Sequence, residues 1–157
     1  MSQRLHFAAA AFLAVALASP AWANGAQPDG AQIYKRCAAC HTATGAGVPG
    51  AYPPLQADFR ALAVQKDGRR YLSLAVIKGL MGPITVEGKS YRGMMPAQSD
   101  LSDAAIAAVL NHIATNIAKA DATFKNFTAA EVASARASGK DLTAADVARL
   151  HPGEPQK

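Results

Sequence analysis

Several things are scarce in this sequence, and each scarcity removes a class of protein. Only two cysteines occur in 157 residues, Cys37 and Cys40. A structural zinc site takes about four ligands, often from two cysteine pairs, so a thiolate-rich zinc cage is excluded. Aromatic residues are 6% of the chain, and no basic run is interleaved with them, so nucleic-acid binding has no footprint. No β-branched run precedes the cysteines. A redox-active disulfide expects a strand there and a βαβ pattern around it. Long apolar runs are missing too. Phe7 to Ala18 is a run of twelve, against about 20 residues needed to cross a hydrocarbon core. No later run is longer, so no transmembrane segment is expected in the mature chain.

What is present begins with an address. Arg4 supplies a charged start, Phe7 to Ala18 the apolar stretch, and Ala21-Trp22-Ala23 a small-residue cleavage site. Together they read as a secretion signal over 1–23. Cleavage after Ala23 removes one cation, leaving 15 Lys and Arg against 11 Asp and Glu, a surplus of four. A modest positive surplus suits either steering towards an acidic partner or simple solubility.

The stretch with the sharpest chemistry is Cys37-Ala38-Ala39-Cys40-His41. Cys-x-x-Cys-His is the attachment signature of a c-type haem. Two thiols three positions apart at a helix end reach the two vinyl groups of one porphyrin, and His41 is then aimed at the iron as proximal ligand. Covalent haem also agrees with export, since the thioethers form outside the cytosol; the expected location is the periplasm.

On these residues the chain resembles the class I (monohaem) cytochrome c family, and matching features continue for about ninety residues. The resemblance implies an all-α cytochrome c fold, with three core helices around one covalently bound haem. It places that domain over 24–120 and leaves 121–157 as a short helical C-terminal extension. Met94-Met95-Pro96 resembles the family's distal-ligand segment, with Met95 at the ligand position. The residue before a proline is biased to extended backbone, which lets its side chain be aimed inwards. Met94 and Met81 are the other candidates, and filling a core gap is the plainer role for a methionine. Pro53 falls where the family presents a carbonyl to the ring N–H of the haem histidine, which would fix that ligand's orientation. Leu55 would line the haem face.

Around these motifs the periodicity is helical. Gly30, Ile33, Tyr34 and Cys37 share one face of a helix from about Asp29 to Cys37. In the family a small residue and an aromatic on this helix meet the last core helix; Gly30 and Tyr34 resemble them, although Gly30 is also an ordinary helix start. Arg69 to Lys78 reads as a second helix ended by Gly79. Alternation about Glu87-Gly88 suggests a hairpin or irregular flap. Ser102 is the expected N-cap of a helix carrying Ile106, Val109, Leu110, Ile113 and Ile117 on one stripe. His112 stands where the family has an aromatic, a departure from its pattern. Beyond Lys119 comes a near-repeat, Phe127 to Ala133 and Leu142 to Ala148. Thr128 with Glu131, and Thr143 with Asp146, have capping-box spacing. These short helices are expected to pack on the haem domain or on a partner, or to fray as a tail. Docking is the use that suits them, and their deletion after Ala120 is then expected to spare the haem spectrum.

The function expected is that of a periplasmic electron carrier, not an enzyme, with His41 and Met95 on the iron. Its partner is a redox protein, and the proline-rich segment and flap are similar to cytochrome subunits of periplasmic dehydrogenases. Electrons would pass from a dehydrogenase to a respiratory acceptor. Lys35, Arg36, Lys89 and Arg92 are candidates to ring the exposed haem edge. The alternative is a haem enzyme or gas-binding sensor with an open iron position.

Overall fold

The computed structural model describes residues 27–152; the expected signal segment and its cleavage site lie outside the described residues. Helix α1 spans Gly30–His41, and the Asp29 carboxylate accepts from the N–H groups of Ala31 and Gln32. These are donors that the first turn of a helix leaves open. The helix runs a turn beyond Cys37, where the spacing ends it. Ala38 and Ala39 are strong helix formers, and the backbone breaks only at Thr42, with φ 64°. Cys37, Cys40 and His41 therefore stand on one rigid element.

Helix α2, Ala57–Ala63, is absent from the sequence expectation; it buries Phe59, Leu62 and Ala63. Helix α3 spans Lys66–Lys78, starting earlier than Arg69. Gly68 explains both differences. It lowers the helical signal, yet a Cβ there would lie 2.4 Å from the Leu62 carbonyl oxygen. Only glycine lets α2 and α3 approach so closely.

The segment after Gly79 folds as two antiparallel strand pairs. β1 (Leu80–Met81) pairs with β4 (Met94–Met95), and β2 (Ile84–Val86) with β3 (Lys89–Tyr91). Glu87 and Gly88 form the two-residue turn between β2 and β3, both at positive φ, 50° and 73°. This is the hairpin the alternation points to, with the backbone hand that matches strand twist.

Helix α4, Asp103–His112, is capped by Ser102, whose hydroxyl accepts from the Ala105 N–H. It continues into a π-helical turn over Ile113–Ile117. Helices α1 and α4 cross at Gly30, where a Cβ would lie 2.2 Å from the Ala108 carbonyl oxygen. Beside the crossing the rings of Tyr34 and His112 lie 5.4 Å apart. His112 thus takes the aromatic's place in the helix interface. Gly30→Ala is expected to destabilise the protein by about 1–3 kcal/mol through overpacking. The denaturation midpoint checks this, and an unchanged midpoint contradicts the crossing.

The C-terminal residues form α5 (Ala129–Ser138) and α6 (Ala144–Ala148). The near-repeat is not symmetric in structure. Thr143 and Asp146 close a full capping box. Thr128 accepts from the Glu131 N–H, but the Glu131 carboxylate turns to Arg69, at 2.6 Å from Nε and 2.7 Å from Nη2. A two-pronged guanidinium–carboxylate pair outcompetes the return bond of a cap. Arg69 also donates to the carbonyls of Ala63, Lys125 and Asn126 and lies 3.9 Å over the Phe127 ring. Its hydrogen bond holds the Glu131 carboxyl below the usual carboxylate range. That contribution is complete above the unfolded-state value and is lost as pH falls through the folded one.

Helix α5 packs on α3 and α4, and α6 on α3 and β1. Val132 and Val147 are wholly buried, with Phe127, Ala135 and Ala148 beside them. Of the outcomes expected for these short helices, the structure shows packing on the haem domain. The extension carries part of the core.

Candidate haem site

One cleft collects nearly every residue the motifs single out. Cys37, Cys40 and His41 enter it from α1, Pro53 and Leu55 from the proline-rich segment, and Met95 from β4. Its walls are apolar: Leu62 of α2, Leu72 and Val76 of α3, Leu80, Ile84 and Val86 of the strands, and Val109, Leu110 and Ile113 of the α4 region. The empty volume is about 1280 Å³ with the open mouth included.

The local sequence explains how each side chain is held. The 45–55 segment folds back on α1: the Gly47 N–H donates to the His41 carbonyl, and the Leu55 N–H to the Gly45 carbonyl. A Cβ at Gly47 would lie 2.3 Å from the Tyr52 carbonyl oxygen, and its φ is 65°, so the turn requires glycine. This return brings the Pro53 carbonyl to 2.9 Å from Nδ1 of His41. With Nδ1 donating there, Nε2 keeps its lone pair. Burial pushes the His41 imidazolium down, more than the Pro53 carbonyl draws it up. A neutral, oriented imidazole is what a metal ligand needs.

Tyr34, on the buried face of α1, donates its hydroxyl to the Thr42 carbonyl at 2.8 Å, tying off the end of that helix. Burial, with the nearby Cys37 adding to it, pushes its phenol up to about 12. Burial also raises the Cys37 thiol, against an opposing pull from Arg36. A reactive thiol pair needs the reverse, a lowered value.

The three candidate methionines separate clearly. Met95 is part-buried and packs against the core, opposite Leu80. Met81 and Met94 pair across the strands and are 52% and 63% exposed. Alternation along a strand sends neighbours to opposite sides, so β4 can turn only one of its two inwards.

The cleft also contains residues the sequence reading does not single out: Asp58, Tyr71, Tyr91 and His151. His151 comes from beyond the family-like region, and no local pattern ties it to residues so far back in the chain.

The family model described as Cytochrome c matches residues 28–117. The chain belongs to the cytochrome c family. Two relatives, both called cytochrome c-552, come from Thermus thermophilus. One is 48% identical over 104 residues, which is 65% of this chain and 70% of the relative. The other is 48% identical over 103 residues, 64% of this chain and 79% of the relative.

This cytochrome carries a covalently bound haem c and is a haem-based electron carrier. Its cleft fits the cofactor. The walls suit a flat apolar ring, and the two cysteines of the Cys-x-x-Cys-His motif stand one helical turn apart beside a neutral imidazole. Among the described residues no group of three or more His, Cys, Asp or Glu is placed to hold a bare metal ion. No described helix is long and apolar enough to cross a membrane.

Proposed function

We propose that this cytochrome carries single electrons in the periplasm on a haem held between His41 and Met95 as axial ligands and tethered through Cys37 and Cys40. Electrons enter from a dehydrogenase and leave to a respiratory acceptor. The observation that supports this most is the pairing within one cleft of a buried, Pro53-oriented imidazole and the inward-turned methionine of β4. Bound there, the haem supplies one metal centre that gains and loses a single electron. His41 offers Nε2, and the Pro53 carbonyl keeps the ring from turning. Met95 offers a soft, neutral thioether, which favours the reduced state. Apolar walls keep water away from both.

The cleft mouth suits a protein partner. Met94 and Tyr52 line it, and both are exposed, as are their cross-strand partners Met81 and Val48. Exposed apolar groups gathered at a functional edge mark an interaction surface. Arg36, one of the cations expected to ring this edge, is paired with Asp100 at 3.0 Å, so apolar contact carries more of the docking than steering by that residue.

Substitution tests the ligand set. Met95→Ala is expected to abolish the weak far-red charge-transfer band of the Fe(III) protein and to let the reduced protein bind carbon monoxide. Met94→Ala is expected to keep the band. A wild-type protein that lacks the band and binds carbon monoxide would instead support the open-iron enzyme or sensor.

A further inference from the structure

The cleft wall holds an acid–histidine pair that the family-like region alone does not complete. His151 follows α6 in the C-terminal extension, and Asp58 belongs to α2. Nε2 of His151 lies 3.1 Å from Oδ2 of Asp58, across 93 residues of sequence. The His151 side chain is 3% exposed and that of Asp58 is 24% exposed. Tyr71 of α3 meets the His151 ring edge-on, with centroids 5.0 Å apart. All three line the cleft.

We propose that His151 is a proton-binding, positioning residue of the haem cleft, coupling uptake of an electron to uptake of a proton on its ring. The inference rests on the haem assignment above. On reduction one electron arrives from the redox partner, and one proton from solvent bonds to His151, leaving both ring nitrogens protonated. On oxidation both depart. Asp58 serves twice: its carboxylate balances the imidazolium, and its exposed edge gives the buried ring a route to water.

Charge in an apolar place is what couples the two. Oxidation adds a positive charge to the cleft, and a second one on His151 is repelled by it. In a low-dielectric wall that repulsion is much less screened than in water. A histidine is suited to the task because its charge changes in the physiological range. The other charged and titratable groups sit on the elements packed around the pair. Tyr71 faces it from α3. Glu87, from the β2–β3 turn, accepts from the Ala57 and Asp58 N–H groups at the start of α2. At α6, Asp146 pairs with Arg149, the residue that follows the helix. Lys78, at the end of α3, donates to the Lys140 carbonyl. Strand β1 brings none, being Leu80 and Met81.

The midpoint potential of the intact holoprotein, measured across pH by spectroelectrochemistry, tests this. The potential is expected to fall as pH rises through the histidine range, and His151→Gln is expected to remove that fall. Asp58→Asn is expected to weaken it, since the ring loses its counter-charge. Proton NMR of the His151 ring gives a second readout, with its titration displaced between the Fe(II) and Fe(III) proteins. A potential that falls equally in H151Q, or a ring signal that titrates alike in both states, overturns the proposal. The far-red band of the same samples reports separately on the ligands, so failure of the haem assignment is distinguishable from failure of this coupling.

Discussion

Changing Cys37 and Cys40 together to serine is expected to give a colourless chain that does not melt cooperatively. The reason lies in what the haem does for the core. Leu62, Leu72, Val76, Leu80, Val109 and Leu110 face the cleft. They are packed into the protein on one side, and the macrocycle supplies the apolar surface on the other. Small domains have thin cores, and native stability is only about 5–15 kcal/mol in total. A cleft of this kind left unfilled destabilises a core in proportion to the volume it leaves empty. The double substitution alters two side chains of serine-like size, so little of the effect comes from the substitution itself. Circular dichroism melting of the variant beside the wild-type holoprotein measures it. A sharp melt near the wild-type temperature would show that the polypeptide folds without its cofactor.

Deleting the residues after Ala120 is expected to unfold the haem domain as well as remove the extension. Phe127, Val132 and Val147 are buried, in an extension packed against α3, α4 and β1. Removing one large buried side chain costs about 2–5 kcal/mol, and here several leave at once. Their partners are then exposed, including Leu74, which is fully buried and touches the site of Gly139. Arg69 loses Glu131 and its two carbonyl acceptors at 125 and 126. The cleft loses His151 from its wall. The truncated protein is expected to lose most of its holoprotein yield and its cooperative melt. A truncated form with the wild-type visible spectrum and melting temperature would restore the docking appendage.

The site is far more legible in the sequence than the fold around it, and the reason is range. Cys37, Cys40 and His41 carry their chemistry within five residues. Pro96 marks Met95, and the Glu87-Gly88 turn is marked by its own conformational demand. Pro53 needs the family's spacing, and its bond to His41 is now a distance. What escapes depends on contacts far apart in the chain. Helix α2 is short, and its neighbour Gly68 looks like a breaker until the Leu62 backbone is seen against it. Strands β1 and β4 have two residues each and exist only through one another. The near-repeat suggests two equal caps, but Arg69, some sixty residues away, diverts one of them. The extension's role is hidden because local pattern shows how a helix starts, and not what its apolar face will meet.

Denaturing mass spectrometry of the purified protein, with thiol alkylation, decides whether the haem is tethered through these two sulfurs. The expected result is a chain heavier than its polypeptide by one haem, with neither Cys37 nor Cys40 labelled. A chain of polypeptide mass alone that takes up two alkyl groups would contradict it.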